Sequence, residues 1–420
     1  MVDQPIEENS NLSSINSNLS AFDSLDPDLQ ALVGDLAKRI YGGEEITFDS
    51  DLLHHTAKPL VDGLQKGYGK SLVEVEYNSP DYKALENLTK NAFKFSASKD
   101  FHILQDMTNA LRDGDRVRSF DEFRAEVDKI NVKYNQNWLR TEYNQAIAAS
   151  QATARWQEFQ DNAKAMPFLQ YQAVMDSNTR PDHQRLHGVI KRIDNPFWNT
   201  HFPPLGWGCR CEVIQLPGKN HKETPDGSFQ KPDVPPQFRE NFGKKQQLFS
   251  DKHPYYEGVP ENVKREAVVA SNQYLSKNEI STTIKEQIEA IEKKGRREYK
   301  TIVIGAVANE LKQHAIETIK FEANEISVTT KQLEHATREF KTNAGHALTS
   351  EELIMLPQII DECEIYFDES HNNYWYIYRN GNRVLKYVFG KYLIKKEMLF
   401  TLITAGLIDE VNLKQAIRIK

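Results

Sequence analysis

The nine residues PPLGWGCRC at 203–211 restrict the fold more than any other stretch of the chain. Their two prolines fix φ and remove backbone donors, and their two glycines open conformations closed to other residues. Neither a continuous helix nor a laddered strand can run through them. The loop NPFWNTHFPPLGWG, which runs into them, carries Phe197, Trp198 and Trp207, large rings that need a core to enter. The flanks have regular patterns. PFLQYQAVMDSNTR alternates like a strand and then turns. PDHQRLHG reads as a short helix, with Pro181 at its start and Gly188 at its end. CRCEVIQL reads as a buried strand. Residues 166–216 therefore predict a compact α+β module folded around an irregular corner.

Two of the chain's 3 cysteines, Cys209 and Cys211, sit in that corner one residue apart. So few cysteines make no disulfide framework and point to a reducing compartment, which sets redox chemistry aside. His183 and His187 are four apart and would share a helix face, so with the two cysteines they could complete a tetrahedral zinc site. A one-residue cysteine spacing departs from the usual two-residue zinc knuckle. The favoured reading is structural: two small buried thiols, Phe197, Trp198 and Trp207 as core, no metal and no cofactor. Arg210 then points to the opposite face and pairs with an acid such as Asp176 or Asp182.

The rest of the 420 residues divides by pattern, and the length suits two to four domains. Residues 1–20, rich in Asn and Ser, read as a disordered tail with neither the basic start nor the apolar run of a signal peptide. Residues 21–165 read as helical. Asp26, Pro27 and Gly42–Gly43 bracket one helix, and another runs from about Ser119 to Asp161. Ser119 and Glu122 fit a capping box there, and Phe120, Phe123 and Val127 share a face. Residues 217–260 carry Pro, Gly, Lys and Asp without apolar periodicity and read as a linker. Residues 261–296 form a helical connector, and 297–420 a second α+β domain. The fold class is thus multidomain α+β. A net charge of −7 supplies no global field toward nucleic acid, and no apolar run is long enough to span a membrane.

Two patterns in 297–420 suggest chemistry. Lys331, His335 and Arg338 fall at i, i+4 and i+7 on one predicted helix, with His346 shortly after. A histidine among cations suits metal-free RNA cleavage, because it can move the 2′-hydroxyl proton while the cations stabilise the charged phosphorane. The stretch HNNYWYIYRNGNRVLKYVFGKYLIKK contains Arg379, Arg383, Lys386, Lys391, Lys395 and Lys396, no acid, and interleaved tyrosines that include Tyr376. Cations for phosphate and rings for stacking read as a single-stranded nucleic-acid surface. RNGNR between its aromatic runs predicts a hairpin with a type I′ turn.

The run DSNTRPDHQRLHGVIKRIDNPFWNTHFPPLGWGCRCEVIQL resembles the signature of the Mu F-like minor head proteins of tailed phages. The match is carried by Asp176, Arg180, Pro181, His183, Leu186, Gly188, Pro196, Phe197, Trp198, Pro203, Pro204, Gly208, Cys209, Arg210 and Cys211, and it extends upstream to about residue 119. Some members of that family have cysteines where this chain has Arg180 and His183. The resemblance implies a low-copy protein of the virion head near the portal, assembled in the bacterial cytoplasm, with portal and capsid proteins as partners. The C-terminal domain, through its His–Arg–Phe helix, GHALTSEELIMLPQII and the aromatic hairpin, is similar to the barnase, EndoU, colicin and RelE-like nuclease domains of phage proteins. That similarity implies a metal-independent ribonuclease toxin, RNA as substrate and an immunity protein as a possible partner. In it His335, Arg338 and His346 would be catalytic, and Lys331, Tyr376, Arg379, Lys386 and Lys391 would contact nucleic acid. The alternatives are a purely structural head protein whose last domain is a binding module, and a secreted polymorphic toxin with a Mu F-like trafficking module.

Overall fold

The computed structural model describes residues 26–293, 299–337, 347–394 and 397–420. The predicted tail 1–20, Arg338, His346, Lys395 and Lys396 lie outside these. The described residues are mixed helix and sheet, and the chain divides into two units, Met1–Asn272 and Gln273–Lys420.

The first unit opens with α1 (Pro27–Tyr41), α2 (Ser50–Tyr68) and α3 (Pro80–Asn109). Each begins at an acid or hydroxyl whose oxygen accepts first-turn N–H groups: Asp26, Asp49 and Ser79. A two-strand ribbon, β1 (Arg112–Asp113) and β2 (Arg116–Val117), leads into α4 (Phe120–Asn131). The Ser119–Glu122 capping box is present, and Phe123 and Val127 are fully buried. A π-helical stretch Val132–Trp138 then joins α4 to α5 (Leu139–Asn162). Helix α2 lies close against α5 because it offers no side chain there. A Cβ at Gly67 would fall 2.3 Å from the Ile147 carbonyl oxygen. The sequence did not signal the charges inside this bundle. Lys99 Nζ donates to Glu142 Oε2 at 2.6 Å with both side chains buried, and Asp100 accepts from the Thr56 hydroxyl at 2.8 Å. Burial raises the Asp100 carboxyl well above its ordinary range.

After the bundle, β3 (Phe168–Gln172) is the middle strand of a three-stranded antiparallel sheet, between β4 (Ile190–Arg192) and β5 (Glu212–Leu216). Helix α6 (Pro181–Gln184) sits in the β3–β4 connection. Residues 217–260, expected to be a linker, are a packed strap. Phe238, Phe242, Leu248 and Phe249 are buried, and Phe249 stacks on Phe95 of α3 at 3.6 Å between ring centroids. In the short helix α7 (Phe242–Lys245), a Cβ at Gly243 would fall 2.4 Å from the Ala152 carbonyl oxygen, so this turn rests directly on α5. Buried Lys191 donates to Asp226 Oδ1 at 2.7 Å and ties the strap to β4. The strap has no apolar period because its regular structure is confined to short helical turns on an irregular backbone, and its aromatics enter the core one at a time.

Helix α8 (Glu261–Glu292) runs on to the second unit. That unit is a seven-stranded sheet of β6 (Thr301–Ala306), β7 (Glu325–Thr329), β8 (Glu364–Asp368), β9 (Asn373–Asn380), β10 (Arg383–Ile394), β11 (Glu397–Leu407) and β12 (Ile417–Arg418), in the order β12-β8-β9-β10-β11-β7-β6. All neighbours are antiparallel except β11 and β7. Helices α9 (Asn309–Thr318) and α10 (Thr330–Ala336) flank β7 in sequence. The short helices Ser350–Ile354 and Leu356–Ile359 follow, and the first has the expected Thr349–Glu352 capping box. The expected hairpin joins β9 and β10, but its turn differs from the I′ prediction. Asn380 pairs with Arg383, so Gly381 and Asn382 are the central residues, and only Gly381 has positive φ, at 58°. That is the II′ pattern.

Candidate functional site

The corner of the first unit is built by two crossed ties. After β3 the chain turns at Asp176, whose Oδ1 accepts the Asn178 N–H at 3.1 Å and the Thr179 hydroxyl at 3.1 Å. Arg210 grips the same carboxylate with two bonds, Nη1 to Oδ2 at 2.8 Å and Nη2 to Oδ1 at 2.6 Å. This is one of the two partners predicted for Arg210, and its guanidinium holds the Asp176 carboxyl well below the usual carboxylate range. In return, Arg180 Nη2 donates to the Trp207 carbonyl at 2.9 Å. The guanidinium packs beside Gly206, at ordinary van der Waals distance from where a Cβ would stand. Gly208 at φ 66° completes the bend into Cys209.

The rings behave nearly as expected. Trp198 is fully buried and meets Phe197 edge-on at 4.9 Å. Trp207 is only half-buried and sits at the corner's rim against Phe238 and His253, both from the strap.

The corner collects His183, Cys209 and Cys211. His183 Nδ1 lies 3.7 Å from Cys209 Sγ and 3.8 Å from Cys211 Sγ, and the three donor atoms fall within 4.8 Å of one another. His183 and Cys211 are buried and Cys209 is half-buried. The Cys211 thiol stabilises a Cys209 thiolate by hydrogen bonding, so Cys209 is the more acidic of the pair. The same hydrogen bond, with burial, pushes Cys211 up. Against the wall of this cluster, the buried Tyr171 hydroxyl has no nitrogen or oxygen partner and faces the Cys211 sulfur. Burial first, and the adjacent cysteine sulfurs second, push its acidity far from the usual tyrosine range. Both cysteines line a cleft of about 100 Å³ bounded by α5 residues Gln151 and Arg155.

Two expectations about this site change. His187 is exposed and does not join the cluster, because α6 ends at Gln184 and the four-residue spacing no longer maps onto one face. Cys209 and Cys211 do not belong to a strand, since β5 starts at Glu212, but as residues i and i+2 just before it they can still present both sulfurs to one side.

The second unit treats its expected residues differently. Lys331 and His335 are exposed on α10, and Lys391 is exposed on β10. Tyr376 is 2% exposed and packs edge-on against Phe389 at 4.9 Å, so its ring is core and cannot stack on a base. Arg379 bonds Glu410 at 2.7 Å and Glu364 at 2.9 Å, and Arg383 bonds Glu352 at 2.7 Å. Lys386 lies over the Trp375 ring at 4.2 Å, and burial lowers its affinity for a proton. The stretch without acids therefore meets acids from other elements. Strand alternation already hinted that half its rings face inward. No local window could have identified Glu352, Glu364 or Glu410 as partners.

No helix among the described residues is long and apolar enough to cross a membrane. No solved structure matches the chain. The chain is 42% identical over 85 residues to the putative capsid assembly protein F of Escherichia phage Mu, which is 20% of this chain and 19% of that protein. It is 41% identical over 96 residues to the Mu-like prophage FluMu F protein of Haemophilus influenzae, 23% of this chain and 22% of that one. The chain thus matches about a fifth of the length of these relatives. The family model described as Phage Mu protein F like protein matches residues 101–214, the segment that contains the whole Asp176–Arg210 corner and its Cys/His cluster.

Proposed function

We propose that this chain acts in the assembly of a tailed-phage head, near the portal, through the segment that carries the corner. The observation behind this reading is positional. The family match takes in Asp176, Arg180, His183, Cys209, Arg210 and Cys211 and stops inside β5. One relative that matches is described as a putative capsid assembly protein. Portal and capsid proteins are the partners in this reading, the host cytoplasm is where assembly occurs, and the virion head is where the chain ends up. The test is deletion of its coding sequence from a phage that carries it, with heads counted by electron microscopy. Loss of filled heads, restored by the full chain supplied in trans, supports the reading. Normal head yield without the chain refutes it.

For the second unit the proposed activity is metal-independent RNA cleavage, with an immunity protein as partner. His335 would be the proton shuttle and Lys331 and Lys391 the phosphate contacts. Their exposure supports this. Arg338 and His346 keep the catalytic roles the family resemblance implies. The competing reading, a module that binds other head proteins, is favoured by the ion-paired Arg379 and Arg383 and the buried Tyr376. Incubating total RNA with the full chain in EDTA separates them. Fragments that vanish in His335→Ala support the ribonuclease, and intact RNA supports the binding module.

A further inference from the structure

The geometry of the corner points to a zinc ion held by His183 Nδ1, Cys209 Sγ and Cys211 Sγ, with water as fourth ligand. This departs from the metal-free corner favoured by the sequence, and three observations drive the change.

The first is distance. Zinc bonds of about 2.3 Å to sulfur and about 2.0–2.1 Å to nitrogen, at tetrahedral angles, leave sulfur and nitrogen about 3.6 Å apart. The two sulfur–nitrogen separations are 3.7 and 3.8 Å. Each sulfur already stands close to the distance from the nitrogen that a shared ion would set, and all three donors lie within 4.8 Å of one another.

The second is proton accounting. Both thiols approach one nitrogen, Nδ1 of His183. A neutral imidazole nitrogen has a single lone pair and can accept from only one S–H. The other thiol proton is left to the neighbouring sulfur, a weaker acceptor, as in the Cys211–Cys209 hydrogen bond. Zinc resolves the conflict: the nitrogen lone pair and two thiolates all point at the cation, and the thiol protons go to solvent.

The third is Tyr171. Its buried hydroxyl finds no nitrogen or oxygen partner and has only the Cys211 sulfur to turn to. A neutral thiol is a weak acceptor, whereas a metal-bound thiolate accepts well. With zinc in place the hydroxyl's bond to Cys211 strengthens and helps hold the sulfur, as outer-shell donors do in metal sites.

Two sulfurs and an imidazole are the borderline-soft set that zinc prefers over calcium or magnesium. Among the described residues the cluster contains three side chains, so the fourth corner falls to water from the adjoining cleft. The ion would join α6 to residues 209–211, whose two cysteines lie 26 and 28 positions from His183, alongside the Arg210–Asp176 tie.

The experiment is metal analysis of the full chain purified under reducing conditions without chelator. The expected result is about one zinc per chain, released by a mercurial thiol reagent, and loss of at least about nine-tenths of it in Cys209→Ser, Cys211→Ser and His183→Ala. His187→Ala and Cys363→Ser should keep their zinc. Cobalt(II) loaded into the unaltered chain should give tetrahedral d–d bands and a thiolate charge-transfer band, a readout that needs no variant to fold. Unaltered chain that carries no zinc and gives no such cobalt spectrum overturns the proposal. So does zinc that survives all three ligand substitutions, or a Cys209–Cys211 disulfide in the freshly purified protein.

Discussion

The corner at 176–211 and the sheet at 364–407 are both rich in suggestive residues, but they distribute them in opposite ways. In the corner, Asp176, His183, Cys209, Arg210 and Cys211 converge on one another. In the sheet, Tyr376, Arg379 and Lys386 are drawn into core packing, ion pairs and a cation–π contact. The difference lies in the backbone. Prolines and glycines bend the corner, so neighbours in sequence can present side chains to the same point. A strand sends alternate side chains to opposite faces, and burial decides which of them remain available. A dense motif on irregular backbone therefore reports a site more directly than the composition of a strand does.

The largest expected effect tests how far the corner depends on its core. Trp198→Ala removes a fully buried ring and should cost about 3–5 kcal/mol, seen as a large fall in the first unit's melting temperature. If Trp198→Ala melts like the parent chain, the corner is not held by its core and the contrast with the sheet fails.

A middle-sized effect concerns the strap that supports the corner. Burial lowers the His253 pKa from 6.5 to about 4, with the nearby His102 adding to the effect. The fold holds this ring neutral, so its contribution is fully present above pH 6.5 and is lost as pH falls toward 4. The loss is about 2 kcal/mol at pH 5. Thermal melts between pH 7.5 and 5 should show this fall. His253→Asn, which retains an acceptor for the Tyr255 N–H, should flatten it. An unchanged slope in the variant would mean that His253 is not kept neutral by packing.

The smallest effect is in the sheet. Arg379→Gln should cost less than about 1 kcal/mol, because its ion pairs are partly exposed. It should leave the salt dependence of RNA retention by the full chain unchanged, while Lys391→Gln lowers the slope by about 1. An altered slope for Arg379→Gln would return that residue to the nucleic-acid surface.

What was legible in the sequence follows the same divide. The Ser119 and Thr349 capping boxes, the β9–β10 hairpin and the Arg210–Asp176 pair could be read because each depends on local spacing or on one matched pair of charges. The Cys/His cluster was legible in three of its four named candidates, and His187 dropped out because a helix of only Pro181–Gln184 cannot carry an i, i+4 pair to one face. The packed strap, the buried Lys99–Glu142 pair and the acids opposite Arg379 and Arg383 were not legible. Their partners lie far away in sequence, and nothing in the local pattern marks them.

The central claim, that the corner carries the assembly role and does so independently of the second unit's chemistry, is tested most directly by head yield in one complementation series. A phage lacking this chain is supplied with Arg210→Ala or with His335→Ala, each shown by immunoblot to accumulate like the parent. The account predicts that Arg210→Ala fails to restore filled heads while His335→Ala restores them fully. Normal heads with Arg210→Ala, or none with His335→Ala, would contradict it.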